Sequence, residues 1–285
     1  MKHPPSVVTV IQARTGSSRL PGKILLPLAG APVLVRIVER VTMARHVGAV
    51  IIATTVLPED DRIQTLCWER GILCFRGDPT DLLDRHYRAA AVFGADLVAK
   101  IPSDCPLIDP MVIDRVLGVA ISRPGRFEYI SNLHPPSWPD GNDVEVMTFA
   151  ALETAWREAN RPHEREHTTP FLWDQPDRFR IANVCWETGR DLSRSHRFTL
   201  DYPEDYELIR HVYEALWPSN PSFGTEDVVD LLERLPDVAA RNARYRGVNW
   251  YRHHLGELRT VGREDTRDPE AETVCAGGPA AGGVE

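Results

Sequence analysis

The chain has 285 residues, and 42% of them are apolar, so it can bury the core of one large α/β domain or two small ones. Its net charge of −8, from 41 acidic and 33 basic residues, disfavours general nucleic-acid binding, which requires a basic face against the phosphate backbone. Five scattered cysteines without a C-x-x-C pair indicate neither a disulfide framework nor a thiolate zinc site. The N-terminus lacks the apolar run of a signal peptide, and no stretch approaches about 20 uninterrupted apolar residues. We therefore expect a cytoplasmic protein without membrane spans.

The first half of the chain alternates short apolar runs with amphipathic segments. In the first such segment, Leu34, Ile37, Val38 and Val41 share one helical face, and Gly48 ends it. This alternation predicts βαβ units, and hence an α/β fold with a mostly parallel central sheet flanked by helices. The strand ends of such a sheet form one ligand-binding edge. Strands are predicted at residues 7–13, 49–54, 72–75 and 95–102, and helices at 32–47, 59–70, 81–93 and from 110 onward.

The second half is less regular and mixes both element types. Strands are predicted at residues 127–132, 142–147, 178–186 and 196–200, and helices at 149–159, 203–217 and 225–246. Residues 216–261 then form a helical extension. The final segment, 262–285, is rich in glycine, alanine and acidic residues, a composition that predicts disorder.

The loop after the first strand, QARTGSSRLPGK at 12–23, concentrates positive charge in an acidic protein. Arg14, Arg19 and Lys23 accompany the small residues 16–18, whose backbone N–H groups are accessible. This composition suits a polyphosphate, because N–H groups can hold the oxygens while Arg and Lys neutralise their charge. The spacing matches neither a Walker A loop nor G-x-G-x-x-G. A basic surface loop with a Pro-Gly turn is the alternative.

Two aspartates follow apolar strands at the same predicted edge. Asp104 comes after the strand at 95–102, and Asp201 follows the run at 196–200 and precedes a helix. Two such carboxylates could share a Mg²⁺ that faces the phosphate loop. Helix N-capping is the alternative for each aspartate. Their combination with the cationic loop favours the metal site.

A further acidic cluster lies in PDGNDVEV at 139–146. Asp140 and the glycine after it indicate a turn. Asp143 and Glu145 alternate with valines, so both acids face one side of a strand. They form either a solvated face or a polar wall that contacts sugar hydroxyls.

Several blocks occur in an order that resembles the spore-coat polysaccharide biosynthesis protein F family. This family belongs with the cytidylyltransferases that activate acidic sugars, such as the CMP-sialate and CMP-3-deoxy-manno-octulosonate synthetases. The resemblance covers about residues 6–215. The blocks are IQARTGSSRLPGK, FRGD, LLDRHYRAA, SDCPLIDP, YPDGNDVEV, EREHTTP and LDYPEDYELIR.

The resemblance implies a GT-A-like, Rossmann-like nucleotidyltransferase domain at 1–215, a Mg²⁺-dependent reaction and a homodimer. Arg14 and Lys23 match the phosphate-binding residues, and with Asp104 they are the expected catalytic residues. Asp104 and Asp201 match the metal ligands, while Ser103 stands where the family usually has glycine. The expected nucleotide-binding residues are Gln12, Ala13, Arg14, Thr15, Gly16, Ser17, Ser18, Arg19, Lys23 and Ser103, and the expected sugar-side residues are Asp143, Glu145, Arg165 and His167.

The stretch HEREH at 163–167 matches the H-E-x-x-H pattern of zinc hydrolases. A zincin requires both histidines on one face of a sustained helix. Prolines at 162 and 170 flank the pattern, and the block in the resembling family begins only at Glu164. We therefore interpret the zinc pattern as accidental, and place Arg165, Glu166 and His167 near the sugar site, at a dimer contact or in structural salt bridges.

These observations predict transfer of CMP from CTP to the hydroxyl of a sugar or acidic sugar, for the synthesis of surface polysaccharide. Two alternatives stay open at this point. One is a nucleotidyltransferase that uses a sugar phosphate or another nucleoside triphosphate. The other is a non-catalytic nucleotide-binding partner protein.

Overall fold

The structure, a computed structural model, describes residues 4–267. Strands in this range are β1 (Val7–Gln12), β2 (Pro27–Leu28), β3 (Ala31–Pro32), β4 (Ala49–Thr55), β5 (Leu73–Gly77), β6 (Leu97–Pro102), β7 (Tyr129–Ser131), β8 (Glu145–Thr148) and β9 (Ile181–Asn183). Seven of them form one sheet in the order β5-β4-β1-β6-β8-β7-β9, and β2 and β3 pair separately.

Helices flank the sheet, as the alternation predicts. They are α1 (Val33–Met43), α2 (Asp61–Arg70), α3 (Leu82–Val92), α4 (Pro110–Ser122), α5 (Phe149–Glu158), α6 (Pro162–His167), α7 (Pro170–Trp173), α8 (Pro203–Leu216), α9 (Thr225–Arg234) and α10 (Pro236–Ala239). The four strands β5, β4, β1 and β6 pair in parallel, and β8 adds to β6 in the antiparallel sense. The α/β fold with a mostly parallel central sheet is confirmed.

Apolar side chains of β1 are buried on both faces of the sheet. Val7 and Ile11 belong to one buried cluster, whereas Val8 and Val10 belong to another. Successive side chains of a strand point to opposite faces, so the two clusters lie on the two sides of the sheet. A strand that is covered on both faces requires such a continuous apolar run.

Three predicted elements differ from the structure. Helix α1 ends at Met43, before Gly48, because Oδ1 of Asp114 accepts the N–H groups of Arg45 and His46 at 2.8 and 3.0 Å and turns the chain toward β4. The predicted helix at 225–246 is broken at Pro236 into α9, α10 and later turns. Proline disfavours helical geometry in the residue before it, and Leu235 accordingly has φ −126° and ψ 67°.

The third difference concerns the predicted strand at 196–200, which joins no sheet. The backbone N–H of Phe198 donates to the carbonyl of Asp140 at 2.6 Å, and the N–H of Leu200 donates to that of Asp104 at 2.7 Å. The segment therefore runs past the end of the sheet and bonds to two loops. This course brings Asp201 to the loop that carries Asp104.

The segment after α8 packs against the rest of the domain. Val228, Val229 and Leu232 of α9 join one of the two buried clusters. At the end of the described range, the buried Thr266 accepts the N–H of Asn249 at 3.0 Å through its hydroxyl. Residues 268–285 lie outside the described range. Within residues 4–267, no helix combines the length and apolar character needed to cross a bilayer.

Candidate active site

A cavity of about 710 Å³ opens at the carboxyl ends of β1 and β6. Gln12 lines it from the end of β1, and Asp104 lines it from the loop after β6. Asp201 lines it from the segment before α8. The volume lies in the range of small-molecule sites, about 300–1,000 Å³. The predicted ligand-binding edge therefore carries a site of suitable size.

Lys23 joins the first loop to both predicted metal carboxylates. Its Nζ donates to Oδ1 of Asp201 at 2.9 Å and to the carbonyl of Leu200 at 2.7 Å, and lies 3.6 Å from Oδ2 of Asp104. Burial lowers the pKa of Lys23, but the charges of the two carboxylates outweigh burial and raise that pKa above its ordinary value. Lys23 is thus charged at neutral pH, and the cationic loop and both carboxylates meet in one cleft.

Arg197 positions Asp201 from the other side. Its buried guanidinium contacts three carboxylates: Nε donates to Asp205 at 3.0 Å, Nη1 to Asp140 at 3.1 Å and Nη2 to Asp201 at 3.3 Å. Burial lowers the pKa of Arg197, but the surrounding carboxylates, led by Asp140, raise it overall. This cation holds the start of α8, the turn at 140 and the extended segment at 196–200 together.

The cavity carries more negative charge than its own cations neutralise. Asp140 and Asp143 line it together with Asp104 and Asp201. Burial raises the pKa of Asp140 despite Arg197, and burial and the charge of Asp104 raise the pKa of Asp143. Burial is the largest cause of both shifts and neighbouring carboxylates add to it, so a cation bound among these side chains would lower both pKa values.

Gly141 allows the turn that carries Asp140 and Asp143. Its φ is +105°, which side chains with a Cβ rarely adopt, and an added Cβ would lie 2.6 Å from backbone atoms of Phe198 and Thr199. The turn can therefore approach the extended segment closely only with glycine at this position.

Asp60 anchors the loop at 12–23 through hydrogen bonds to Thr15. The backbone N–H and hydroxyl of Thr15 both donate to Oδ1 of Asp60 at 2.8 Å. The carbonyl of Thr15 accepts the N–H groups of Ser17 and Gly22 at 2.9 and 3.0 Å. The N–H groups of Gly16, Ser18 and Arg19 have no hydrogen-bond partner among residues 4–267, so they are available to ligand oxygens.

Two further arginines belong to this loop region. Arg19 lines the cavity, and its Nη2 lies 2.8 Å from Oδ1 of Asp201. Arg14 is exposed beside Arg85 of α3, and burial together with the Arg14 charge lowers the pKa of Arg85 to about 10. The mutual repulsion of Arg14 and Arg85 would be relieved by an anion at the loop.

Most of the chain matches a known protein family. A family model described as cytidylyltransferase matches residues 8–220.

The chain belongs to the cytidylyltransferase family.

Individual relatives agree with this assignment. The spore coat polysaccharide biosynthesis protein SpsF of Bacillus subtilis is 29% identical over 238 residues, which cover 82% of this chain and 96% of SpsF. A solved cytidylyltransferase from Leptospira borgpetersenii is 30% identical, covers 82% of this chain and 97% of its own length, and superposes with a TM-score of 0.78. The 8-amino-3,8-dideoxy-manno-octulosonate cytidylyltransferase of Shewanella frigidimarina is 35% identical over 127 residues, 43% of this chain and 50% of the relative.

In this cytidylyltransferase, the strand acids predicted for the sugar side have different surroundings. Glu145 is buried and forms an ion pair with Lys100, its register partner on β6, and it accepts the hydroxyl of Tyr129 at 2.6 Å. Asp143 lies just before β8 and lines the cavity with Glu145, while Val144 and Val146 face the core. The alternation inferred from the sequence is therefore present.

One wall of the cavity is aromatic, and its Trp250 lies beyond the matched residues 8–220. Trp250, in a 3-10 turn over Trp250–His253, stacks on His167 of α6 with ring centroids 3.6 Å apart. Burial lowers the pKa of His167 to about 3, so its ring is neutral. Trp173 and His134 stack at 4.3 Å and line the same wall. A neutral aromatic surface of this kind suits the apolar face of a sugar ring.

The structure does not bring Arg165 together with the other sugar-side residues. Its Nε donates to Oδ2 of Asp81 at 2.9 Å, and its Nη1 donates to the carbonyl of Trp156 at 2.6 Å. Asp81 is the N-cap of α3. Arg165 thus holds α6 against α3 and α5. A structural salt bridge was one of the alternatives that the sequence analysis left open for this residue.

The H-E-x-x-H residues also point to separate places. His163 is buried and lies 3.3 Å from Glu257, whereas His167 stacks on Trp250. The Glu164 carboxylate accepts the N–H groups of residues 160 and 161 and so caps the helix start. Thr168, the residue that follows the last helical residue of α6, has φ 73°.

Several site residues were not identified from the sequence. Arg197 lay inside a predicted strand, and Asp140 was interpreted only as a turn residue. Trp250 lay in a segment without any motif. Lys100 did offer a signal, because a lysine within a buried apolar strand requires a charged partner.

Proposed function

We propose that the protein transfers CMP from CTP to a hydroxyl of a sugar or acidic sugar, which yields a CMP-sugar and pyrophosphate. The hydroxyl oxygen forms a bond to the α-phosphorus, and the bond from that phosphorus to the pyrophosphate oxygen breaks. The carrying observation is the convergence of Lys23, Asp104 and Asp201 at one cavity in a cytidylyltransferase-family fold.

The triphosphate would lie along the loop at 12–23. The free N–H groups of residues 16, 18 and 19 would bind phosphate oxygens, and Arg14, Arg19 and Lys23 would neutralise their charge. Such a reaction depends on positioning and on stabilisation of the charge that develops on phosphate oxygens. Gln12, Ala13, Thr15, Ser17 and Ser103 would then shape the surroundings of the nucleotide rather than carry charge.

The site fits a Mg²⁺ ion held by Asp104 and Asp201. Both carboxylates line the cavity together with Asp140 and Asp143, so a bound cation would face several negative charges there. Magnesium prefers one or two carboxylates together with phosphate and water oxygens. When bound, the ion would supply charge neutralisation at the reacting phosphate.

The acceptor would occupy the opposite end of the cavity. Asp143 and Glu145 would accept hydrogen bonds from sugar hydroxyls, and the stacked rings of His167 and Trp250 would pack on the sugar ring. The names of two relatives refer to spore-coat polysaccharide and to an amino-octulosonate, which support a sugar or acidic sugar as the acceptor class. A cytoplasmic homodimer engaged in surface-polysaccharide synthesis is the setting we expect for this reaction.

Pyrophosphate release tests the proposal directly. The full-length protein is incubated with Mg²⁺, each of the four nucleoside triphosphates and a panel of acidic sugars and sugar phosphates. We expect release only with CTP and an acceptor that carries a free hydroxyl, together with a CMP-sugar detected by mass spectrometry. Release with another triphosphate or only with sugar phosphates would identify the alternative transferase. CTP binding without release, indifferent to Mg²⁺ and to Asp104→Asn, would identify a non-catalytic partner protein.

A further inference from the structure

Three possible metal ligands lie together outside the proposed active site. His163, His254 and Glu257 each place one nitrogen or oxygen atom within 4.8 Å of the others. Nδ1 of His254 lies 3.0 Å from Oε1 of Glu257, and Nδ1 of His163 lies 3.3 Å from Oε2 of the same carboxylate. Among residues 4–267 this is the one group of three or more His, Cys, Asp or Glu side chains whose possible ligand atoms all lie within 4.8 Å of one another.

His163 supplies a second, independent observation. Its side chain is 1% exposed, and its buried Nδ1 forms no well-aligned hydrogen bond among the described residues, although Oε2 of Glu257 lies 3.3 Å away. A cation between the two groups would bind both Nδ1 and Oε2 directly, and it would satisfy a buried polar atom that otherwise lacks a well-formed partner.

We propose that His163, His254 and Glu257 form a binding site for a transition-metal ion of the Zn²⁺ class. Two imidazole nitrogens and one carboxylate are a ligand set that such ions accept, with water completing the coordination. Mg²⁺ prefers oxygen ligands, so this site differs in chemistry from the carboxylates Asp104 and Asp201.

The site would connect two parts of the chain that are distant in sequence. His163 belongs to α6, whereas His254 and Glu257 follow the 3-10 turn at Trp250–His253. Arg161 already donates from Nη1 to the carbonyl of Glu257 at 3.0 Å, so the two segments touch without a metal. A bound ion would fasten the turn that holds Trp250 against His167.

Metal binding by the full-length protein tests this proposal. Chelator-stripped protein is titrated with Zn²⁺ against a chromophoric competitor, and separately with Co²⁺ while its visible absorption is recorded. We expect one Zn²⁺ per chain at this site and Co²⁺ bands that indicate nitrogen and oxygen ligands. His254→Gln and Glu257→Gln should each weaken Zn²⁺ binding at least about tenfold, because loss of even an outer-shell partner costs about 10–100-fold.

Two controls separate this site from other metal sites. His253→Gln alters the exposed histidine next to His254 and should leave Zn²⁺ affinity unchanged. Asp104→Asn should also leave it unchanged, since that carboxylate serves the other site. The two ligand variants replace partly exposed side chains, so the test does not depend on a substitution at the buried His163. Absence of a stoichiometric Zn²⁺, or wild-type affinity in both His254→Gln and Glu257→Gln, would overturn the proposal.

Discussion

Nζ of Lys23 lies 2.9 Å from Oδ1 of Asp201, although 178 positions separate the two residues in the chain. Both side chains are largely buried, at 11% and 13% exposure, so the attraction is weakly screened by solvent. In the structure the lysine neutralises the carboxylate. Under the proposed function, binding of CTP and Mg²⁺ would replace this contact: Lys23 would bind phosphate oxygens, and Asp201 would bind the ion.

Replacement of Lys23 by alanine should abolish most turnover. Removing one preorganised group that stabilises developing charge costs about 10²–10³-fold in kcat. Pyrophosphate release at saturating CTP and acceptor measures the effect, and circular dichroism shows whether the variant stays folded. Arg45→Ala, at an exposed ion pair with Asp114, is the matched control. A folded Lys23→Ala enzyme with near-normal turnover would exclude the assigned role.

Asp104→Asn should raise the Mg²⁺ concentration needed for half-maximal activity. The asparagine keeps the shape of the side chain but removes one of the two anionic ligands, so the ion binds more weakly. A Mg²⁺ titration of pyrophosphate release at fixed CTP measures the shift. Glu214→Gln, which loses a surface ion pair with Arg210, should leave the titration curve in place. An unchanged curve in Asp104→Asn would remove this residue from the metal site.

Trp250→Ala should weaken acceptor binding and spare CTP binding. The tryptophan stacks on His167 in the aromatic wall that we assign to the acceptor, so its loss should remove contact with the sugar ring. We expect KM for the acceptor to rise about tenfold, equivalent to about 1.4 kcal/mol, with little change in the Kd of CTP measured by calorimetry. Trp68→Ala, at an 83% exposed side chain, is the control. A selective loss of CTP affinity would contradict the assignment of this wall to the acceptor.

The pair Lys100 and Glu145 should show strong coupling in stability. Lys100→Met leaves a buried carboxylate without its cation, and breaking a buried pair costs about 3–5 kcal/mol. Glu145→Gln in the same chain removes the orphaned charge while its amide oxygen can still accept the Tyr129 hydroxyl. Urea unfolding should therefore find the double variant more stable than Lys100→Met alone. Additive losses would mean that the two side chains do not interact energetically.

Stability should fall with rising pH in a way that depends on Asp143. Burial and nearby carboxylates raise its pKa to about 7 in the folded chain, whereas an unfolded aspartate titrates near about 3.9. Between these values the folded chain holds a proton that the unfolded chain has released, so the free energy of unfolding decreases as pH rises. Asp143→Asn cannot ionise and should lose part of this decrease, on the order of 1 kcal/mol.

Melting temperatures at pH 5 and pH 8, without added metal, measure that difference. The wild-type protein should lose more stability over this interval than Asp143→Asn does. Glu214→Gln again serves as a control, because its exposed carboxylate contacts only a surface arginine. An equal pH dependence in wild type and Asp143→Asn would show that Asp143 ionises normally in the folded state.

Much of the fold was predictable because its signals are local. The continuous apolar runs of β1, β4 and β6 indicate strands that are covered on both faces, and the amphipathic face of α1 indicates its packing side. The loop at 12–23 and Asp104 were also found, since strand ends in a parallel sheet share one edge. Each of these inferences needs only neighbouring residues and a general rule of sheet geometry.

The errors arose where a distant partner decides the local conformation. Residues 196–200 have the composition of a strand, but their N–H groups bond to the loops of Asp104 and Asp140, far away in sequence. Arg165 lies in a block shared with the resembling family, but its side chain forms a hydrogen bond with Asp81 and does not line the cavity. Propensity describes how a segment can fold, and such contacts decide which option it takes.

By itself, then, the sequence determined the parallel sheet, the cationic loop and the two carboxylates. Each of these follows from the hydrophobicity and charge of residues that are neighbours in the chain. Only the tertiary structure decided that Arg197 contacts the three carboxylates of Asp140, Asp201 and Asp205, and that Trp250 stacks on His167 in the cavity wall. Those pairings join residues far apart in the chain through packing and hydrogen bonds. Their geometry exists only once the sheet and its helices have assembled.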